Sequence, residues 1–495
     1  MRFVSAFLCL LLLPFFCLGK RIEVRNQEDF DRLPLSLEAV LASSDTLADV
    51  RIGPGRYFYH EGHIRLQGID RSGFHLRMTG ENAILVAESA DTTYDLGIGY
   101  VDLEQGCHVD VRGAVKQAGC WPIPVPFSKD LYMIRCDEPD LAPEESRTWS
   151  IILSQWFKGA VYPVVRISKG WLFFRKDQDY GTGMWSELRF GRCLPRYILC
   201  RDPRREDLHP CGSSNFLSVR DCRMGGLSVR NISFLGNRTG DCLFRLDRLS
   251  ASQVLVSGCH FSGIRSDVIC SEETSHLMIA DCMFKENYLS AIVIGEGGSD
   301  IRIIHNRFFD NGLMMSNAPV VLAQGKEYRI ADNYFEDFSY AAIRIGIHYT
   351  MHDRYGTTGV VENNEICMSS SFRTGIQRAL IDDGAIYVST INASATIRGN
   401  YIHDINGPHG NRGIFADDGV VNVEICDNRI FHIWNGYCID LRKCFRVGRS
   451  RRSQISRPNV GNKIHDNLCD GKMRIYVRKD DPHSYVSGNI VMGRL

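Results

Sequence analysis

The chain has 495 residues, with 58 basic and 58 acidic side chains, 18 Cys, 45 Gly and 16 Pro. With 44% apolar and 23% charged residues it has the balance of a globular protein, which excludes disorder and collagen-like structure. The formal net charge of zero excludes the broad basic field of a nucleic-acid binder or a polybasic membrane-surface protein.

Residues 1–19 carry Arg2, an apolar run and a small residue before Lys20, the layout of a secretory signal peptide. The expectation is a secreted or periplasmic protein, with an uncleaved anchor as the alternative. No later run approaches the ~20 apolar residues of a bilayer span, so no membrane span is expected after signal cleavage. Cleavage removes Cys9 and Cys17 and leaves 16 of the 18 Cys. An even count in an exported chain invites disulfides. This chain is long rather than Cys-dense, however, and Cys259, Cys282 and Cys426 fall inside a repeat. There a free thiol acts as a small buried hydrophobe. No CxxC pair supports zinc, and no metal site is expected.

Residues 102–213 hold five of the six Trp (Trp121, Trp149, Trp156, Trp171, Trp185) and runs such as WLFFRK that read as antiparallel strands. They are expected to form an inserted β-rich subdomain between an N-terminal region, residues 20–101, and a repeat region, residues 214–495.

From residue 229 a short pattern recurs: an apolar residue, two spacers, Asn or a small residue, one spacer, an apolar residue. Examples are VSGCHF (256–261), IADCMF (279–284), IIHNRF (303–308), IADNYF (330–335), VENNEI (361–366), IRGNYI (397–402), ICDNRI (425–430), IHDNLC (464–469) and VSGNIV (486–491). VRNISF (229–234) is imperfect, with its Asn one residue early. A period of roughly 20–40 residues, built of short β-branched strands with Gly and Asn at the bends, is a solenoid signature. Each unit lacks an apolar helical stripe, and Leu does not hold the repeating positions, so stacked coils of parallel strands remain. The recurring Asn is expected to take the left-handed turn conformation and to hydrogen-bond to its equivalents above and below.

On these motifs the chain resembles the right-handed parallel β-helix family, the pectate-lyase-like superfamily of carbohydrate-active proteins. The resemblance implies an all-β solenoid. It also makes residues 28–42 (EDFDRLPLSLEAVLA) a capping helix, and residues 50–66 the first strand, glycine turn and second strand.

Glycosidic hydrolysis needs two carboxyl groups flanking the bond. The strands after each Asn motif align as AIVIG (291–295), AIRIG (342–346), AIYVS (385–389), GIFAD (413–417) and GYCID (436–440). In that alignment Asp417 and Asp440, 440 − 417 = 23 residues apart, occupy equivalent positions on consecutive coils. Their carboxylates would lie roughly 5–6 Å apart, near the ~5–5.5 Å of a retaining pair. Asp418 follows directly, and Asp382 and Asp383 lie at the other end of an equivalent strand. Asp-Gly is also a common turn pair, which gives these segments a purely structural alternative. His403, Asp404, His409, Arg412, Trp434, Arg442 and Lys443 fall in the same coils. DDGAIY (382–387) followed by GIFADDG (413–419) resembles segments of β-helix glycoside hydrolases, and by position implies Asp417 and Asp440 as the pair. The resemblance does not decide between Asp417 and Asp418, and Asp383 in a longer-spaced pair would favour inversion.

The leading expectation is an exported glycoside hydrolase acting on a complex polysaccharide or its oligosaccharides, without cofactor. Asp417 and Asp440 would be acid/base and nucleophile, in either order. Tyr387, His409, Arg412, Trp434 and Arg442 would bind sugar. The alternative is a polysaccharide lyase on uronates, in which the Asp cluster holds Ca²⁺ and Arg442 or Lys443 abstracts a proton. A non-catalytic glycan-binding solenoid is the third.

Overall fold

The computed structural model describes residues 19–59, 62–87, 110–117, 123–126, 128, 131–135, 149–155, 158–168, 170–175, 196–201, 215–236, 242–264, 266–287, 289–312, 319–338, 340–346, 357–368, 384–389, 393–406, 411–417, 419–442, 460–476 and 481–492. Of these, 33 strands join into one parallel system in which each strand pairs with its equivalent one coil on. The fold is a parallel β-helix.

Each coil contributes three short strands, and like strands pile into three stacks. The long strand Leu217–Leu235 passes through all three: its start pairs with Phe244–Ala251, its middle with Val254–Ser257 and its end with His260–Ser262. The first stack continues through Ile269–Glu272, Ile292–Ile294, Val321–Ala323, Ile343–Ile345, Ile386–Val388, Arg412–Ala416, Tyr437–Leu441 and Met473–Ile475. Because a strand side chain alternates between faces, every second residue enters the bore. Ile269, Ile292, Val321, Ile343, Ile386, Ile414 and Ile439 form one fully buried column there. In the third stack Phe234, Phe261, Phe284, Phe308 and Phe335 superpose with near-parallel rings, at centroid spacings of 5.3, 4.9, 4.9 and 4.4 Å. Burial of each such ring stabilises the fold by roughly 1.5–3 kcal/mol. Cys259, Cys282 and Cys426 are buried free thiols, as the repeat suggested.

The Asn positions form the expected ladder. The Asn306 backbone N–H donates to Asn333 Oδ1 at 2.9 Å, and its Nδ2 donates to the same oxygen at 3.1 Å. The same double contact joins Asn333 to Asn364, then Asn400, Asn428, Asn467 and Asn489. One detail differs. The left-handed residue is not the ladder Asn but the residue before it: Asp281, His305, Asp332, Asn363, Gly399, Asp427, Asp466 and Gly488 all have positive φ. The bend needs the positive φ, and the side chain after it then points inward, where an Asn amide bonds to buried backbone groups above and below, and where Cys282 instead donates its thiol to Val256 O. The early Asn of VRNISF follows the same rule: Asn231 takes the turn with φ 55°.

The capping segment is two helices rather than one, Gln27–Asp31 and Leu33–Ala42. Asn26 caps the first by accepting from the Asp29 N–H at 2.9 Å. Pro34 has no N–H to continue the ladder, so the chain breaks at Arg32. Phe30 is buried against Tyr57, His63 and Phe216, closing that end of the bore. The first strand is Gly19–Val24, ahead of the expected one, and it pairs in parallel with Leu47–Ile52. Among the described residues between 110 and 201, seven strands form a separate sheet whose pairings are antiparallel.

Candidate functional site

The site lies on the outer face of the first stack, where Ile386–Val388, Arg412–Ala416 and Tyr437–Leu441 follow one another. Inward positions there are apolar. Outward positions run Arg344, Tyr387, Phe415, Asp440 and Arg474 in one row, each the register partner of the last. The next row runs Ser389, Asp417 and Arg442: the Asp417 N–H donates to Val388 O at 2.9 Å, and the Arg442 N–H to Ala416 O at 2.9 Å.

This register corrects the expected carboxylate pair. Asp440 stands over Phe415, and Arg442 stands over Asp417. Asp417 and Asp440 are therefore not equivalent positions. The alignment slipped by two residues because it matched Gly436 to Gly413. In the structure Cys438 lies beside Gly413, while Gly436 packs on Asn411, whose carbonyl oxygen would stand 1.7 Å from a Cβ at that position. A two-residue slip keeps every side chain on its own face, so the apolar pattern cannot detect it. The alignment also passed over one coil, Val321–Ala323, between AIVIG and AIRIG.

Asp440 is fully buried, and its carboxylate is enclosed by guanidiniums. Arg412 Nε donates to Oδ2 at 2.8 Å, Arg474 Nε donates to Oδ1 at 2.7 Å with a second Arg474 nitrogen on Oδ2, and Arg442 Nε lies 3.3 Å from Oδ2. The hydrogen bonds that Arg474 donates to Asp440 raise its pKa. A carboxylate engaged on both oxygens by guanidiniums is an anchor for them.

Asp417 differs. It is 6% exposed, and the Tyr387 hydroxyl lies 3.4 Å from its Oδ2. Around it an aromatic layer packs outside the bore. Tyr387 and Phe415 stack at 4.9 Å, and Tyr340 meets Tyr387 edge-on at 5.6 Å. Guanidiniums cover these rings. Arg412 and Arg442 lie 4.1 and 4.8 Å from the Phe415 centroid, and Arg344 lies 5.7 and 5.4 Å from those of Tyr340 and Tyr387. In such a low-dielectric setting charge interactions act strongly.

The structure thus gathers Tyr387, Arg412, Asp417, Asp440 and Arg442. It adds Arg344, Tyr340, Phe415 and Arg474, which the sequence reading missed. The signal was available for Arg344: it is the outward middle residue of AIRIG, in the same place as Tyr387 of AIYVS. Trp434 is not with them. It is 62% exposed at the corner before Tyr437–Leu441, its N–H donating to Ile405 O. His403 and Asp404 lie on the third stack and its corner, bonded to each other at 2.7 Å. Asp382, Asp383, His409, Asp418 and Lys443 lie outside the described residues. Among the described residues no group of three or more His, Cys, Asp and Glu side chains is placed to hold a metal ion. None of the described helices is long and apolar enough to cross a membrane.

A family model described as "Right handed beta helix region" matches residues 213–335 and 248–379. With the parallel coils above, it identifies the class: this is a right-handed parallel β-helix. Among solved structures, one entitled "Glycoside hydrolase" is 10% identical with a TM-score of 0.43, covering 95% of this chain and 96% of that one. Another, "The complex structure of XylC with xylose", is 8% identical with a TM-score of 0.40, covering 94% and 86%. The "Pseudomonas phage phi297 tailspike gp61" structure is 11% identical with a TM-score of 0.20, covering 81% and 72%. Identities and TM-scores this low transfer no chemistry to the chain. No curated protein matches it.

Proposed function

We propose that the protein is an exported glycoside hydrolase that cleaves a complex polysaccharide or its oligosaccharides, with Asp417 as one catalytic carboxyl group. The observation that supports this reading is the setting of Asp417. It is a nearly buried carboxyl group, engaged by the Tyr387 hydroxyl, at the edge of an aromatic layer covered with guanidiniums. Such a carboxyl group can act on a glycosidic oxygen or on water, and the guanidiniums can bind sugar hydroxyls or carboxylates. The second carboxyl group at this centre would be Asp383 or Asp418. Asp440 takes a positioning role, fixing Arg412, Arg442 and Arg474. Tyr387 orients Asp417, and His409 and Trp434 are left as outer saccharide contacts.

The lyase reading gains nothing from this geometry. Arg442 is ion-paired with Asp440 at 3.3 Å and lies 4.8 Å from the Phe415 centroid, so both contacts hold it in the arginine cluster. The test is to screen the purified chain on plant, algal and host glycans with product analysis. Reducing ends without ultraviolet-absorbing unsaturated uronides, unaffected by chelator, are expected. Binding without any product would overturn the enzymatic reading in favour of a glycan-binding solenoid.

A further inference from the structure

Two carboxyl groups in register on consecutive coils do occur, at a different place in the first stack. Asp247 in Phe244–Ala251 is the register partner of Glu272 in Ile269–Glu272. Neighbouring rungs of a sheet are ~4.8 Å apart, which suits the ~5–5.5 Å carboxyl separation of retaining glycosidases. Asp247 is 6% exposed and Glu272 is exposed. One coil before Asp247 the row holds Arg220. One coil after Glu272 it holds Gly295, whose N–H donates to Ser271 O at 2.7 Å. The rung beyond Glu272 therefore carries no side chain.

The local energetics argue for use rather than for structure alone. Like charges directly opposite on paired strands destabilise a sheet. Arg220 Nε and Arg245 Nε approach Asp247 Oδ2 at 3.7 and 3.5 Å, ion-pair distances beyond those of good hydrogen bonds. Asp247 Oδ1 is buried and accepts no hydrogen bond among the described residues. A buried acceptor without a partner calls for a reason, such as a bound water or ion, strain or a catalytic role. Burial, assisted by the Glu272 charge and opposed by the Arg245, Arg220 and Arg248 guanidiniums, holds the Asp247 carboxyl above its ordinary range. Two neighbouring carboxyl groups in unlike settings, one buried and one exposed, are suited to divide the roles of acid and nucleophile.

We propose that Asp247 and Glu272 form a further catalytic pair for glycosidic-bond hydrolysis, a second centre on the same stack as Asp417. This rests on the glycoside hydrolase reading. Asp247 gives its proton to the glycosidic oxygen as the bond from that oxygen to the anomeric carbon breaks. The Glu272 carboxylate bonds to the anomeric carbon over the open rung at Gly295. Water then attacks that carbon, its proton passing to the Asp247 carboxylate and its hydroxyl to the sugar, and Glu272 leaves as a free carboxylate.

The experiment compares the full chain with Asp247→Asn, Glu272→Gln and Asp417→Asn on every glycan the natural protein cleaves, with melting temperatures for each. Glu272 is exposed, so its isosteric variant is expected to fold. Loss of cleavage by about a hundredfold or more in Asp247→Asn and Glu272→Gln is expected on the glycans cleaved at this centre, which Asp417→Asn still cleaves. Azide should restore turnover to Glu272→Gly and trap a glycosyl azide, which a merely structural role would not produce. Wild-type cleavage in both variants, with loss in Asp417→Asn alone, overturns the pair and leaves the hydrolase reading intact. If the natural protein cleaves no glycan, the hydrolase reading fails and the pair falls with it.

Discussion

Arg442, not Asp440, occupies the rung above Asp417. This single relationship separates two aspartates that share a stack and a neighbourhood but not an environment. One accepts from guanidiniums on both oxygens; the other has the Tyr387 hydroxyl at hand. Opposite consequences follow for stability and for catalysis.

Asp440→Ala should destabilise the protein by about 3–5 kcal/mol, because it strands cations beside a buried position. Arg412 is the most affected, being only 3% exposed. Denaturant unfolding followed by circular dichroism reads this directly. A loss below about 1 kcal/mol would show that the three arginines find other partners.

Asp417→Asn should behave in the reverse way, with a near-normal unfolding midpoint and a fall in kcat of about a hundredfold or more. Tyr387→Phe removes only the hydroxyl near Oδ2. Its effect should be smaller, with a displaced pH profile of kcat/KM. Full activity of Asp417→Asn on a cleaved glycan would remove this carboxyl group from the reaction.

Asn400 tests the ladder. Its Oδ1 accepts from both the backbone and the side chain of Asn364, and its Nδ2 donates to Val361 O and to Asn428 Oδ1. Asn400→Ala leaves several buried groups unsatisfied and should cost on the order of 3 kcal/mol. Arg429→Ala, an exposed position in the next coil, should stay within about 0.5 kcal/mol of wild type. Equal effects at the two sites would contradict the ladder's energetic role.

His465 supplies a pH dependence. Its Nδ1 lies 2.8 Å from Asp466 Oδ2 and its Nε2 3.3 Å from Glu424 Oε1. The Asp466 hydrogen bond, joined by that of Glu424, raises its pKa above the ordinary 6.5 despite some burial. A raised folded-state value means the stabilisation is fully present below the unfolded value and is lost as pH rises through the folded one. An NMR titration should place the His465 midpoint above its ordinary value, and Glu424→Gln should lower it. An unmoved midpoint in that variant would show that Glu424 takes no part.

The coils were legible because they repeat. The Asn, the β-branched residues around it and the Phe column each recur at the same place, and stacking is the only way so many short strands can bury one apolar face each. The break at Arg32 was also written in Pro34, though residues 28–42 resemble one capping helix. The left-handed bends were misplaced by one residue, because Asn suits both that conformation and the buried ladder. Only the backbone path shows which of the two it serves.

The site was legible as a neighbourhood and not as a geometry. That Tyr387, Arg412, Asp417, Asp440 and Arg442 lie close together follows from their falling in consecutive coils. Which of them touch does not follow. Side chains on a strand alternate with a period of two, so shifting a coil by two residues leaves the inside and outside unchanged and alters every lateral contact. The corner at Asn435 and Gly436, where the chain turns with φ 50° and then packs on the Asn411 carbonyl, sets that shift. The order of coils, their apolar bore and the residues they expose were determined by the sequence alone. The tertiary structure decided the register between coils, and with it that Asp440 stands over Phe415 among arginines while Arg442 stands over Asp417.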